Sequence, residues 1–366
     1  MEILIDKKIL LDGLDKIGKL LPSKPSIASL GGIYLEGKKD GISLTATDLQ
    51  ITLKVFLEAQ VKEKEEILFP GKKFISLVKE IPDKTVQLRT KENILFLSSK
   101  NFHYKFLLMN VDEYPKLPSE QELFAKSDRT TVPSSLLLEM IAKTKYCVNI
   151  NEPRIYFRGV LLEGKGNNLT MVGTDTRRLS LIQKTLDSEV SMKMILPLRF
   201  LEILPAVIPE ESVTIAFTKN QIGVQSERML FISQLLEGEF PEYEKVIPSG
   251  DTLLCAKIAR SDFLESLSRI SLLVSEKSNA MKFQFRKDLL VLSFESPDIG
   301  SGEEKLHMTY SGPDTDIVFN PEYVIDFLKT TEKETLSFFF LDKDKPALLQ
   351  EEEEKEYQYV VMPIKA

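Results

Sequence analysis

The stretch DKKILLDGLDKIGKLL, residues 6–21, decides the architecture because its pattern recurs. Leu10, Leu14, Ile17 and Leu21 stand at steps of 4, 3 and 4, the apolar stripe of an amphipathic helix. Leu137, Ile141, Thr144 and Val148 repeat those steps 127 residues later, behind Ser134 as an N-cap, and Phe263, Leu267, Ile270 and Val274 repeat them after a further 126. Three similar helices opening three similar units is the signature of a repeat architecture.

The same offset runs outward from these helices. GGIYLEG (31–37) matches RGVLLEG (158–164), Thr47-Asp48 matches Thr174-Asp175, and ILFP (67–70) matches MILP (194–197). A second helical stripe follows each time: Phe74 and Leu77, then Leu201 and Leu204, then Val324 and Phe327 after Asn320. Units close on Pro115 in DEYPKL, Pro241 in EFPEYEKVIP and Pro363 in YVVMPIKA. Between the helices lie short alternating or apolar runs such as ISLTATDLQITLKV, VQLRT and ILFLSS, broken by the turn signals KKDG, KGNN and KEN. The expected fold is therefore α+β, three similar domains near 1–125, 126–249 and 250–366, each with two helices packed on antiparallel sheets. The polar stretches PSEQEL and PSGD mark the boundaries, and EEEEKE (351–356) reads as a solvated hairpin tip.

Composition bounds the chemistry. The chain has 366 residues, 43% hydrophobic, enough to build real cores, and a net charge of −7. That acidity sits in the last third: the balances over 1–125, 126–250 and 251–366 are +1, 0 and −8. Two cysteines, Cys147 and Cys255, and two histidines, His103 and His307, exclude a disulfide framework and any Cys/His zinc cluster. Both cysteines lie among apolar residues and read as small buried thiols. The histidines lie in the strand-like runs NFHYKF and KLHMTY and read as strand residues. No phosphate-binding or nucleophile-elbow pattern occurs, so no cofactor, metal or catalytic residue is expected. Asp48 and Asp175 would fall in different domains, and a repeated Thr-Asp at a strand turn is a local hydrogen-bonding device rather than a carboxylate pair. MEILIDKKIL lacks the features of a signal peptide and no apolar run approaches the ~18 residues of a membrane span, so a soluble, cytoplasmic chain is expected.

Helical geometry places the cations. On the second helix, Phe74, Leu77, Val78 and Ile81 form the buried stripe and Lys72, Ser76 and Lys79 lie opposite, a basic face without an acid. Arg199 holds the first position of that face in the second unit, while Glu322 and Asp326 make it acidic in the third, leaving Lys329. On the first helix the exposed cation recurs as Lys16, Lys143 and Arg269.

Three such units, the stretch GTDTRRL (173–179), the FPEY turn and the ending YVVMP together resemble the bacterial β sliding clamps, the processivity subunits of DNA polymerase III. The resemblance runs end to end. It implies the DNA clamp fold, two subunits closing head to tail into a ring as a homodimer, and duplex DNA encircled without sequence specificity. It also implies tethering of the replicative polymerase with no catalytic role. By resemblance, Lys24, Asn151 and Arg154 join Lys16, Lys72, Lys79, Lys143, Arg199 and Arg269 in facing DNA, and Tyr104 and Phe106 meet Leu272 and Leu273 across the dimer contact. A pocket for short hydrophobic peptides of the polymerase alpha subunit, the clamp loader and other proteins would be formed by Phe157, Thr174, Thr176, Arg177, Arg178, Leu179, Pro241, Val246, Val360, Met362, Pro363 and Ile364. The chain departs from a familiar form of the pattern at Thr176-Arg177, where glycine and histidine are common. The rival reading is a repeat-built adaptor that binds proteins alone, which would not need Lys16, Lys143 and Arg269 on one inner surface.

Overall fold

The structure, a computed structural model, describes residues 1–116, 123–124, 128–208, 211–250, 252–273, 279–296, 300–352 and 355–365. It divides into two compact units, Met1–Ser135 with Arg199–Leu235, and Leu136–Leu198 with Leu236–Ala366, so the middle repeat contributes to both. The reason lies in the sheets, which continue across the repeats.

In the first unit an eight-stranded antiparallel sheet runs Asp128–Pro133, Ser212–Phe217, Gln221–Ser226, Met229–Gln234, Ile51–Glu58, Gly41–Thr47, Gly32–Lys38 and Glu66–Pro70. First and second repeats join where Phe231 pairs with Leu53. A five-stranded sheet, Gln60–Val61, Glu2–Asp6, Thr85–Lys91, Ile94–Ser99 and Phe102–Leu107, completes the unit. Helix α1 (Lys7–Gly18) buries Leu10, Leu14 and Ile17, and its N-cap Asp6 accepts from the backbone N–H groups of Lys8 and Ile9. Gly13 lets α1 approach the sheet, since a Cβ there would lie 2.6 Å from the Leu57 side chain. Leu21 lies beyond the helix yet remains buried. Helix α2 (Gly71–Glu80) buries Phe74, Ile75 and Val78, and Ile81 is buried just past it. Leu77, expected in that stripe, is half-buried. Helix α4 (Leu198–Ile203) buries Phe200, Leu201 and Ile203, and the Phe200 ring stacks on Phe231, 4.7 Å apart.

In the second unit a ten-stranded sheet runs Gly159–Thr174, Arg178–Pro197, Tyr357–Val361, Ala347–Glu351, Thr335–Phe340, Leu254–Ala259, Gly300–Thr309, Leu289–Ser296, Met281–Arg286 and Thr315–Phe319. Second and third repeats join where Ser180 pairs with Tyr359. Helices α5 (Arg260–Ser271) and α6 (Pro321–Thr330, capped by Asn320 Oδ1) bury Phe263, Leu267 and Ile270, and Val324, Ile325, Phe327 and Leu328.

Several expectations need correction. Ser134 is the first residue of helix α3 (Ser134–Thr144) rather than its cap, and among the described residues its Oγ has no hydrogen-bond partner. Val148 falls outside α3, after a short 3-10 turn. Glu351 is not at a solvated tip: it is buried at a strand end, where its Oε1 accepts from the N–H groups of Glu332 (2.6 Å) and Lys333 (3.3 Å). Val274, Glu353, Glu354 and most of PSEQEL lie outside the described residues.

Candidate partner cavity and nucleic-acid surface

The turn after the strand Gly159–Thr174 is built by its own polar side chains. The Thr174 hydroxyl donates to the carbonyl of Arg178 (2.6 Å) and accepts from the N–H of Thr176 (3.1 Å). Asp175 Oδ1 accepts from the N–H groups of Arg177 and Arg178, both at 3.0 Å. This lets Thr176 hold φ +72°, a left-handed conformation that a β-branched residue seldom adopts. Gly173 sets the turn against α3, since a Cβ there would lie 2.2 Å from the carbonyl oxygen of Thr144.

Arg178 leaves this turn into a nearly buried site. Its Nε meets Asp175 Oδ2 at 3.0 Å, Nη1 meets Asp326 Oδ2 at 2.6 Å, and Nη2 donates to the carbonyl of Tyr146 at 2.8 Å. The guanidinium also lies over the Tyr323 ring, 4.4 Å from its centroid. Asp326, expected on the exposed face of α6, is thus half-buried and paired.

Beside this turn opens a cavity of about 200 Å³. Nine of the expected residues line it: Phe157, Thr174, Thr176, Arg178, Leu179, Pro241, Val246, Val360 and Met362. Arg177, Pro363 and Ile364 do not, whereas Glu242 and Tyr243, neighbours of Pro241 in the FPEY turn, do. Arg177 contributes its carbonyl instead, accepting from the N–H of Met362 (2.9 Å), and the N–H of Ile364 donates to Val318 (2.8 Å), so the tail is tied on both sides. Beneath the cavity lies an apolar cluster with Leu161, Val172, Leu181, Ile195, Phe240 and Leu348. The Tyr243 hydroxyl donates to Glu163 Oε2 (3.0 Å). Burial raises the Glu163 pKa, but hydrogen bonds from Lys165, Tyr243 and Lys193 outweigh it and hold the carboxyl below its ordinary range. The result is an apolar pocket with a polar rim, suited to anchoring one or two hydrophobic side chains. Val246 and Met362 stand 44% and 39% exposed, leaving apolar surface at the mouth.

The cations expected to face DNA divide sharply. In the first unit Lys24, Lys72 and Lys79 are exposed, as is Arg199, and Lys16 is half-buried. Lys16 pairs with Asp12 (2.7 Å), Arg199 with Asp48 (3.2 Å), and Lys79 with Asp15 (2.8 Å), an acid that the neighbouring helix α1 brings to the basic α2 face. In the second unit Arg154 pairs with Glu152 (2.6 Å) while lying 4.4 Å over the Phe157 ring of the cavity. Arg269 is exposed and pairs with Glu304 (2.9 Å), and Asn151 is exposed. Lys143 contradicts its expected place. Its side chain is 10% exposed, between Glu139 (3.1 Å) and Glu351 (3.7 Å) and over the Tyr357 ring. The repeat shares a helix position but not its surroundings, because the strand carrying Tyr357 covers that turn of α3.

Of the residues expected at a dimer contact, Leu272 is 83% exposed, Leu273 45% and Tyr104 42%. Phe106 is half-buried and turns its ring edge to Phe74, 5.3 Å away. His103 and His307 are strand residues. Cys147 is fully buried, and burial pushes its thiol far above the ordinary range; Cys255 is half-buried and raised for the same reason. Among the described residues no group of His, Cys, Asp and Glu could hold a metal, and no helix is long and apolar enough to cross a membrane.

Comparison with known proteins covers the whole chain. Family models for the N-terminal, central and C-terminal domains of the DNA polymerase III beta subunit match residues 1–118, 131–242 and 244–365. A beta sliding clamp of Chlamydia pneumoniae is 29% identical, over 100% of this chain and 99% of the relative. The crystal structure of the DNA polymerase III subunit beta from Pseudomonas aeruginosa superposes with a TM-score of 0.94 at 25% identity, covering 100% of both chains. The DNA polymerase sliding clamp of Bacillus subtilis gives 0.94 at 25%, covering 100% of this chain and 99% of that one.

Proposed function

The chain belongs to the DNA polymerase III beta subunit family, the sliding clamps, and from that premise we propose how its own residues do a clamp's work. A clamp is not an enzyme. It encircles DNA and confers processivity on a polymerase by tethering it, and the adaptor that never meets DNA is not favoured. The observation that carries this is the ordered match of all three domain models along one chain.

The chain forms three domains near 1–125, 126–249 and 250–366 and acts in the cytoplasm, free of membranes. Two copies close head to tail, Tyr104 and Phe106 of one subunit against Leu272 and Leu273 of the other, which the exposure of three of these four supports. Lys16, Lys24, Lys72, Lys79, Asn151, Arg154, Arg199 and Arg269 face duplex DNA and touch phosphate rather than bases. The cavity from Thr174 to Leu179 receives the hydrophobic peptide of the polymerase alpha subunit, the clamp loader and other partners, closed on one side by Val360 and Met362. Lys143 is withdrawn from the DNA-facing set.

Retention on a loaded circular DNA, lost when the circle is cut, tests encirclement. Met362→Ala with Pro363→Ala tests the cavity: a polymerase-derived C-terminal peptide should no longer bind, with ring assembly and melting unchanged. Peptide binding that survives both this change and Leu179→Asp places the partner site elsewhere.

A further inference from the structure

We propose that Asp12, Asp15 and Asp48 are built-in counter-ions that compete with DNA phosphate for Lys16, Lys79 and Arg199, keeping the grip of the first unit weak enough for movement along DNA. This rests on the clamp reading of that surface. Five cations of the unit are assigned to DNA, and three of them already hold a carboxylate of their own chain, at 2.7, 2.8 and 3.2 Å. Lys24 and Lys72 are different. Both are exposed, among the described residues neither has a carboxylate within ion-pair distance, and Lys72 Nζ donates only to the neutral Ser23 Oγ (3.0 Å).

The placement of the acids is not explained by local stability alone. Asp15 stands in the last turn of α1, where the helix dipole disfavours a negative charge. Asp48 satisfies its turn with Oδ1, accepting from the N–H groups of Gln50 (3.0 Å) and Ile51 (2.8 Å), and its second oxygen is turned to Arg199. Asp12 is the plainest of the three, an i,i+4 partner of Lys16.

A free cation that meets a phosphate releases condensed counter-ions, about 0.9 of one per contact. A cation already neutralised must first give up its carboxylate, so the exchange gains little. Contacts of the second kind are therefore replaced easily as the duplex moves past, while Lys24 and Lys72 supply the attraction that remains.

The test titrates the full chain against a non-specific linear duplex of about 30 base pairs, by fluorescence anisotropy at several NaCl concentrations. Asparagine keeps the acceptor and removes the charge. Asp15→Asn and Asp48→Asn should each tighten binding about two- to fivefold at low salt, and combination with Asp12→Asn by about tenfold or more. The slope of log K against log salt should steepen by up to about 0.9 for each cation freed, and Asp15→Glu should return both readings to wild type. Loaded on circular DNA, the triple variant should diffuse more slowly. Lys72→Gln is the control for the surface itself. If it weakens binding while the asparagine variants bind as wild type, the surface stands and the counter-ion inference is overturned. A lowered melting temperature with an unchanged salt slope overturns it too, leaving the three acids as structural staples. If neither Lys72→Gln nor the asparagine variants change binding, the DNA-facing assignment has failed and the inference falls with it.

Discussion

Residues 47–51, Thr-Asp-Leu-Gln-Ile, and residues 174–178, Thr-Asp-Thr-Arg-Arg, are one turn built twice. In each, the threonine hydroxyl donates to the carbonyl four residues on, at 2.9 and 2.6 Å, and accepts from the N–H two residues on. In each, the aspartate Oδ1 accepts from the N–H groups two and three residues on, and the middle residue has a positive φ, +78° at Leu49 and +72° at Thr176. The aspartate's second oxygen takes an arginine in both, but Asp48 takes exposed Arg199 and Asp175 takes nearly buried Arg178. The fifth residue makes the difference. Ile51 enters an apolar core, whereas Arg178 ties the turn to Asp326 of α6 and walls a cavity. Thr and Asp specify the backbone; what the turn is used for depends on its neighbours.

Arg178→Ile gives the second turn the fifth residue of the first. The turn's backbone bonds survive, but Asp175 and Asp326 lose their shared cation. Removing one partner of a buried pair costs ~3–5 kcal/mol, and because Asp326 is 35% exposed the lower end applies here. Denaturant unfolding should report about 3 kcal/mol, with peptide binding lost. A loss under about 1 kcal/mol means that the pair with Asp326 adds nothing to the turn.

The next largest contrast sets Lys143 against Lys16, the same helix position in two repeats. Lys143→Gln leaves Glu351, whose side chain is 2% exposed, without its cation, and should cost ~2–3 kcal/mol. Lys16→Gln removes one half-exposed pair and should cost less than ~0.5 kcal/mol while weakening DNA binding. The reverse order would restore Lys143 to the surface.

How much of this was legible follows from the same pairs. Steps of 4 and 3 in α1, α2 and α5 were enough to find helices, because burial there is set by the helix's own period. The turns were legible because their hydrogen bonds close within five residues. Lys143 was not, since what covers it comes from residues 351 and 357, and sequence spacing carries no signal for such a contact. The pairing of Arg178 with Asp326, 148 residues away, was hidden for the same reason. Tyr243 could have been read from the FPEY turn, two residues after Pro241; Glu163, its partner 80 residues away, could not. The division into two compact units was also invisible, because it depends on the strand Met229–Gln234 pairing with Ile51–Glu58.

A milder perturbation separates the turn from its use. Thr47→Val and Thr174→Val each remove a hydroxyl that both donates and accepts, and Thr47 also meets the Thr52 hydroxyl at 2.9 Å. At about 1 kcal/mol per bond, Thr47→Val should cost at least as much as Thr174→Val, each within ~1–3 kcal/mol by chemical denaturation. Only Thr174→Val should weaken peptide binding, because only that turn faces the cavity. Equal loss of peptide binding in both would show that the effect runs through global stability.

The smallest effect expected is a gain, and it asks whether the left-handed residue is tolerated or used. Glycine at Leu49 or Thr176 would relieve a positive φ that costs an L-residue ~1–2 kcal/mol, while loosening the unfolded chain by ~0.5–1 kcal/mol. The balance is a stabilisation of about 0.5–1 kcal/mol. Thr176 should gain more than Leu49, since its β-branch crowds the backbone harder, and since Leu49, though 53% exposed, gives up what packing it has. Both N–H groups that the turn needs remain in place, so the geometry of Arg178 should not move. Thr176 does line the cavity, so Thr176→Gly removes one wall and should change peptide affinity by less than about fivefold. Thermal unfolding and peptide titration of the two variants read the two quantities separately. Should Thr176→Gly stabilise the chain yet abolish peptide binding, the strained threonine is part of the recognition surface. Should it destabilise the chain while Leu49→Gly does not, the two turns are not equivalent even in their backbones, and the comparison fails at its root.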